Sequence, residues 1–369
     1  MLYPVMRKIK ESKNLDLQLV VTGMHLLPEF GYTINDIRKD GFEVDVEVDM
    51  LLSGDTRASM AKSLGVGIIS LTQSLESNNP DIVLVCGDRI ETFAAAVSAA
   101  HLMIPVAHIF GGDAAVGSNI DDSIRFSITK FAHIHFTATK KHAERVIKLG
   151  EEPWRVHITG SPALDTILQI RFPSRHNIGE GFSLNHEKPF ALVVQHPTTI
   201  TAENAAREIR DTMEALCELE LQSVIIYPNA DAGGRMMIRV INEYRNRFSY
   251  IKAFRSLPRE KYLALMSTAD VMIGNSSSGI IEAPSFHLPF VNIGPRQQGR
   301  ERAENVIDVD YNKKEIKKAI RTAIYDKKFR EKVKQSKNPY GDGEASERIV
   351  KILSEIEIDK KLLQKRITY

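Results

Sequence analysis

Short apolar runs alternate along most of the chain with longer segments whose apolar residues recur at helical spacing. Several of the short runs are apolar throughout, which is typical of strands in a parallel sheet covered on both faces. In the first half, the pattern predicts strands at 16–21, 43–48, 82–86, 106–109 and 134–138, and amphipathic helices at 59–77, 90–102 and 123–133.

The alternation starts again after residue 173, with strands predicted at 190–194, 224–227, 251–253, 271–273 and 290–293. Two successive series of strand, helix and strand predict an α/β fold with two Rossmann-like, doubly wound domains. Pro, Gly and Asn interrupt the periodicity near 165–188, so we place the domains at 1–167 and 168–343. Because such sheets bind ligands beyond the carboxyl ends of their strands, we expect a site in the cleft between the domains.

Composition and charge narrow the classes of function. A chain of 369 residues exceeds what one hydrophobic core usually supports, and a net charge of +2 gives no reason to expect nucleic acid or an anionic membrane as partner. Cys86 and Cys217 lie far apart within apolar runs, which predicts neither a disulfide nor a cysteine metal site. No His, Asp or Glu spacing predicts a metal site, and no run has the length of a membrane span. We therefore expect a cytoplasmic protein.

The segment after the strand at 271–273 carries the clearest chemical signal. Three hydroxyl residues and a glycine open a helix predicted to run to residue 288, and small residues allow a phosphate to approach free backbone amides. An acid one turn later can accept hydrogen bonds from a ribose. These residues are Ser276, Ser277, Ser278, Gly279 and Glu282. The pattern favours a nucleotide diphosphate site, and the alternative is a serine-rich helix cap without a ligand.

Acidic residues follow two strands of the first half. Asp88, Arg89 and Glu91 come after the strand at 82–86, where two carboxylates beside an arginine can perform acid–base chemistry. An equally simple alternative is a capping Asp followed by an Arg–Glu ion pair.

A second acidic loop follows the strand at 106–109. Paired glycines precede Asp113, a segment predicted to be flexible spans 114–119, and Asp121 and Asp122 then begin a helix. Asp121 alone can be explained as a capping residue. The number of acids at one rim of the sheet nevertheless exceeds what helix capping requires.

Loops that follow predicted strands of the second half carry basic and polar groups. His196 follows a buried strand, although a lone histidine is more often structural than catalytic. Asn229 lies in a similar loop, and Arg296 and Arg300 can neutralise a diphosphate. His25 occupies a strand-end loop of the first half with weaker support.

Together these motifs make the chain resemble the UDP-N-acetylglucosamine 2-epimerase family, in particular its hydrolysing branch. The resemblance covers residues 1 to about 356 and depends on the ordered motifs at 87–91, 108–113, 120–130, 195–197, 228–229, 274–282 and 296–301. It implies a glycosyltransferase-B arrangement, a C-terminal helix at about 344–356 that returns to the first domain, and a homodimer or homotetramer.

The resemblance also implies a reaction without metal or redox cofactor. Elimination of the C2 proton and the C1 diphosphate gives a glycal, and water then adds to release N-acetylmannosamine from a UDP-sugar substrate. Asp88, Asp113 or Asp122 would take the proton, and Glu282 would bind the ribose. His196, Ser277, Ser278 and Arg300 would stabilise the leaving diphosphate.

Several alternatives stay open. The sugar can be a 2,4-diacetamido-2,4,6-trideoxy analogue, the enzyme can be a non-hydrolysing epimerase or a glycosyltransferase, or the protein can bind a nucleotide sugar without catalysis. Two departures from the family matter. Its first strand and the arginine-bearing loop after it are missing before Met1, so we expect a sheet without its first strand and weak activity. Phe110 stands where relatives often have an acid.

Overall fold

A computed structural model describes residues 1–54, 56–115 and 120–369 and has an α/β architecture built from parallel strands. The predicted flexible segment 114–119 lies largely outside these residues. The strands of the first half are β1 (Val20–Thr22), β2 (Val46–Val48), β3 (Val83–Cys86), β4 (Val106–Ile109), β5 (Ile134–Thr137) and β6 (Val156–Ile158).

The strands of the second half are β7 (Phe190–Val194), β8 (Gln222–Ile226), β9 (Ile251–Phe254), β10 (Val271–Gly274), β11 (Phe290–Ile293) and β12 (Val306–Val309). They form a six-stranded parallel sheet in the order β12-β11-β10-β7-β8-β9. Alternate residues of the central strand β7 face different cores: Leu192 contributes to one cluster of buried side chains and Val193 to another. Helices therefore cover both faces, as the apolar strands predicted.

Helices connect the strands. Those of the first half are α1 (Tyr3–Glu11), α2 (Ile34–Lys39), α3 (Arg57–Asn78), α4 (Ile90–His101), α5 (Ile120–Phe131), α6 (Lys140–Lys148) and α7 (Ala163–Gln169). The others are α8 (Arg175–Phe182), α9 (Ala205–Glu218), α10 (Gly234–Arg247), α11 (Arg259–Thr268), α12 (Ser278–Ile281), α13 (Lys313–Tyr325), α14 (Lys327–Gln335), α15 (Ala345–Glu355) and α16 (Lys360–Leu363).

The strands of the first half form two sheets. β1 pairs with β2, and β3, β4, β5 and β6 form a separate four-stranded parallel sheet. The expectation that a strand is missing stays a prediction. β6 and β12 were not predicted, because both lie at a sheet edge and are only partly buried, so they lack a continuous apolar run.

The end of the chain packs against the first half. α15 contacts α1 and α7, and the buried guanidinium of Arg155 donates to the carbonyl groups of Lys361, Leu362 and Gln364. The domain boundaries at 167 and 343 stay predictions. Within residues 1–54, 56–115 and 120–369, no helix is long and apolar enough to cross a membrane.

Candidate active site between the two halves

Loops at the carboxyl ends of β3, β4, β7, β8 and β11 meet between the two halves of the chain. Three ion pairs join the halves there: Arg89 with Asp231, Arg296 with Asp121, and Arg300 with Asp113. In two of these pairs an acid of the first half faces an arginine of the second half, and in the pair of Arg89 and Asp231 the charges are reversed.

Arg125 on α5 contacts three acidic residues, of which Asp122 lies on the same helix. Its guanidinium is 1% exposed and bonds the carboxylate of Asp88, Oδ1 of Asp122 at 2.6 Å and the carbonyl oxygen of Asp113 at 2.8 Å. Burial alone would lower the pKa of Arg125, but these acids outweigh it and raise the pKa. Asp122 also accepts a hydrogen bond from the amide of Ala115 at 3.0 Å. Asp88 and Asp122 are thus both bound to Arg125, and their side chains are 22% and 19% exposed.

Asp113 is the most enclosed of these acids. Its side chain is buried, and its Oδ2 lies 3.0 Å from Nη2 of Arg300. Burial favours the protonated carboxyl, but Arg300, Arg125 and His142 outweigh burial and lower the pKa of Asp113. Asp113 is therefore a carboxylate at neutral pH.

The pKa of Asp121 is shifted in the opposite direction to the pKa of Asp113. Its partner across the cleft, Nη2 of Arg296, is 3.5 Å away, and a quarter of its side chain is exposed. Burial, with Asp88 and Asp231 nearby, raises the pKa of Asp121 to about 6 against the opposing effect of Arg296. A carboxyl group that titrates close to neutral pH is suited to proton transfer. Asp121 thus lies at the start of α5 and also forms an ion pair with the second half.

Arg89 forms the closest of the ion pairs between the halves. Its Nη1 lies 2.7 Å from Oδ1 of Asp231, while its Nε is 3.6 Å from Glu91. The Nδ2 of Asn229 donates to Oδ2 of Asp231 at 2.6 Å. The local Arg–Glu pair exists, but the shorter contact of Arg89 is to the other half.

His196 is held in one tautomer by the loop after β8. Its Nδ1 accepts a hydrogen bond from the amide of Asn229 at 3.2 Å, so Nε2 carries the proton. The carbonyl and amide of His196 both bond the side chain of Asn275. Burial and the charge of Arg296 lower the pKa of His196 to about 3. His196 is therefore a neutral hydrogen-bond donor rather than a base that is charged near pH 6.

The serine-rich loop after β10 corrects one prediction. The helix predicted at 278–288 is wrong: α12 ends at Ile281 and a 3-10 turn, Ala283–Phe286, follows. The cause is Pro284, which has no amide hydrogen to donate to the preceding turn. A four-residue helix has little dipole, so at this loop an anion would be bound by individual polar groups of Ser276, Ser277, Ser278 and Gly279 rather than by a helix dipole.

Glu282 lies directly behind this loop. It is buried, one oxygen accepts from Nη2 of Arg259 at 2.9 Å, and the other accepts from the hydroxyl of Ser278. A ribose hydroxyl must share or replace these donors. His25 lies apart from these contacts, exposed and with Nδ1 2.7 Å from the hydroxyl of Thr33.

The sequence did not predict every residue that the structure brings to this region. Arg259 and His142 belong to no recognisable local motif, and Asp231 lies in the same loop as Asn229 but received no predicted role. Among the described residues, no group of three or more His, Cys, Asp or Glu side chains could hold a metal ion.

A family model described as UDP-N-acetylglucosamine 2-epimerase matches residues 7–354. This chain belongs to the UDP-N-acetylglucosamine 2-epimerase family. The family assignment predicted from the motifs is confirmed, and the fold of this family member agrees with it. A solved Neisseria meningitidis UDP-GlcNAc 2-epimerase bound to UDP-GlcNAc superposes with a TM-score of 0.80 at 20% identity, covering 95% of each chain. The two-domain glycosyltransferase-B arrangement is confirmed by this likeness.

Two family members are more similar in sequence. The UDP-N,N'-diacetylbacillosamine 2-epimerase (hydrolyzing) of Legionella pneumophila is 36% identical over 99% of this chain and 95% of its own length. The GDP/UDP-N,N'-diacetylbacillosamine 2-epimerase (hydrolyzing) of Campylobacter jejuni is 37% identical over 83% of this chain and 79% of its own length. The names of both relatives contain the 2,4-diacetamido-2,4,6-trideoxy sugar, which is one of the alternatives left open by the sequence.

Proposed function

We propose that this protein is a hydrolysing UDP-sugar 2-epimerase whose preferred sugar is the 2,4-diacetamido-2,4,6-trideoxy-hexose unit named for the Legionella and Campylobacter relatives. UDP-N-acetylglucosamine, the main expectation from the sequence, is the second candidate because the family model carries that name. The cytoplasmic location and the homodimer or homotetramer stay predictions.

The observation that carries the proposal is the pair of contacts in which a carboxylate of the first half meets an arginine of the second, Asp121 with Arg296 and Asp113 with Arg300. The first half supplies carboxylates, among them Asp121 with a pKa of about 6, and the second half supplies donors, among them His196 and Arg296. An elimination needs a base at C2 and a cationic or hydrogen-bonding environment at the departing diphosphate. The two sets of groups fit these two needs.

In the first step, a carboxylate takes the C2 proton, the C2–H electrons form the C1–C2 double bond, and the C1–O bond breaks to release UDP. We assign the base role to Asp121, since a pKa of about 6 makes it a stronger base than an ordinary carboxylate while leaving it ionised at neutral pH. Asp88, which retains an open face beside Arg125, is the nearest alternative.

The departing diphosphate gains negative charge as the bond breaks. In this proposal, Nε2–H of His196 and the guanidinium groups of Arg296 and Arg300 would bind it, together with Ser277 and Ser278. Binding of the diphosphate by these arginines would release Asp121 and Asp113 from their ion pairs. Ligand binding would thereby free the carboxylates when the reaction needs them.

In the second step, water adds a hydroxyl group to C1 and a proton to C2 of the glycal, on the face opposite to the one first deprotonated. The product is the free sugar with inverted C2. Glu282, with its two oxygens near the serine loop, would bind the ribose throughout.

The experiment that tests the proposal is a comparison of kcat/KM for the two UDP-sugars, measured by UDP release with the free sugar identified chromatographically. We expect turnover of both or of the diacetamido sugar alone, with the higher kcat/KM for the latter. A higher value for UDP-N-acetylglucosamine would assign that sugar instead. If the protein bound both UDP-sugars without releasing UDP, it would instead be a non-hydrolysing epimerase or a nucleotide-sugar binder.

A further inference from the structure

Behind Asp113, on the side away from Arg300, lies a buried histidine of α6. Nε2 of His142 is 3.5 Å from Oδ1 of Asp113, and both side chains are buried. Neither this Oδ1 nor Nδ1 of His142 has a hydrogen-bond partner among the described residues. An enclosed carboxylate oxygen without a donor is costly, and the polar atom of His142 that faces Oδ1 is Nε2.

The loop carrying Asp113 is fixed to α6. Gly112 has φ +77°, and a Cβ added there would lie 2.2 Å from the carbonyl oxygen of His142, so only glycine permits this approach. Arg145, one turn after His142, bonds the carbonyl oxygen of Gly112. Backbone contacts thus set the carboxylate of Asp113 beside the imidazole of His142.

The same end of α6 contacts the second half. The hydroxyl of Thr139 donates to Oε2 of Glu301 at 2.7 Å, and the hydroxyl of Tyr340 donates to the carbonyl oxygen of Glu301 at 2.8 Å. The ring of Tyr340 packs edge-on against His142. His142 is therefore enclosed by residues from both sides of the cleft.

We propose that His142 is a positioning residue for Asp113: its Nε2–H holds the carboxylate in orientation and ionised when Arg300 turns to the substrate diphosphate. This inference depends on the proposed function, because it assumes that the diphosphate attracts Arg300.

The charges around the pair support a neutral donor. Asp113 faces Arg300, Arg125 and His142, and accepts from the backbone amide of Ala114. Around His142, besides Asp113, stand Arg145, Glu301 and Arg300. Burial lowers the pKa of His142 to about 4, with Asp113 and Glu301 opposing this effect and the two arginines adding to it. At neutral pH the ring is thus uncharged, and its Nε2 can carry the proton that faces Asp113.

The test compares His142→Gln, whose amide nitrogen can replace Nε2–H, with His142→Phe, which keeps the ring volume and removes the donor. We expect His142→Phe to lower kcat about tenfold or more, while His142→Gln retains most of kcat and UDP affinity stays within about twofold in both. Without the donor, the pKa of Asp113 rises from its lowered range, so kcat of the Phe variant should fall more steeply with decreasing pH below the ionisation of Asp121 near pH 6.

The matched control is His135→Gln. His135 is another fully buried histidine paired with a carboxylate, its Nε2 lying 3.2 Å from Glu151. We expect this variant to leave the pH profile unchanged. Unaltered kcat and pH profile in His142→Phe would overturn the inference, as would equal losses of kcat and UDP affinity in the Gln and Phe variants.

A second readout separates failure of this inference from failure of the proposed function. In ¹⁵N-labelled protein without ligand, the resonances of His142, assigned by their loss in His142→Gln, should indicate the Nε2–H tautomer. They should change in Asp113→Asn. Resonances that do not respond to Asp113→Asn would refute the pairing even if no UDP-sugar were turned over.

Discussion

Arg89 at the end of β3 and Asp231 in the loop after β8 are 142 residues apart in sequence, yet their side chains form a 2.7 Å hydrogen-bonded ion pair. Asp231 is 5% exposed, and its carboxylate also accepts from Asn229. Burial would raise the pKa of Asp231, but Arg89 and Arg296 lower it. The pair therefore connects the two halves beside His196.

We expect Arg89→Ala to lower the free energy of unfolding by about 1–3 kcal/mol at pH 7.5, because it leaves a buried carboxylate without its cation. Urea denaturation would measure the loss. The double variant Arg89→Ala/Asp231→Asn is the control and should lose less than the sum of the single variants. Strict additivity would contradict a direct interaction.

Asp121 provides a prediction in which stability and activity move in opposite directions. Its pKa is raised to about 6, so the folded state binds the proton more tightly than the unfolded state, and stability falls as pH rises from about 4 to about 6. Asp121→Asn mimics the protonated form. At pH 7.5 we expect this variant to be more stable by on the order of 1 kcal/mol and nearly inactive.

The pH profile of the unmodified protein tests the same assignment. If ionised Asp121 is the base, kcat should increase as pH rises through about 6. His196 does not account for this limb, since its pKa is about 3. The residual activity of His196→Gln should therefore keep the limb near pH 6. A limb that disappears in this variant would reassign the titration to His196.

The fold was largely readable from the sequence because its central strands are continuous apolar runs. β4, β7 and β11 begin and end where the pattern predicted, whereas the partly buried edge strands β6 and β12 did not stand out. The error after β10 was avoidable, since Pro284 is visible in the sequence and ends the helix that was predicted to continue.

The sequence predicted many residues of the candidate site, but it did not predict which side chains pair with each other. The sequence indicated that Asp113, Asp121 and Asp122 lie near one rim, but not which of them is paired with Arg125, Arg296 or Arg300. These partners come from distant loops, and they decide which carboxyl has a lowered pKa and which a raised one. Local periodicity carries no information about such contacts, so the sequence left Asp121 open between a capping residue and a member of the acidic cluster.

Glu282 tests the position of the nucleotide. We expect Glu282→Ala to weaken UDP binding by about 1.5–3 kcal/mol, because a ribose hydrogen bond to a carboxylate is lost. Calorimetric titration of UDP would measure the change. Glu214→Ala, on the outer side of the same half and paired with Lys313, is the control and should bind UDP normally. Unchanged affinity in Glu282→Ala would remove Glu282 from the site.

Release of UDP coupled to inversion at C2 can be followed in one reaction run in D₂O. The protein would be incubated with the UDP-activated 2,4-diacetamido-2,4,6-trideoxy sugar and with UDP-N-acetylglucosamine, and the products analysed by NMR and mass spectrometry. We expect equimolar UDP and free sugar, with inverted C2 bearing one solvent deuterium. Free sugar with its original C2 configuration and no deuterium, or a deuterated epimer still attached to UDP, would refute the proposed reaction.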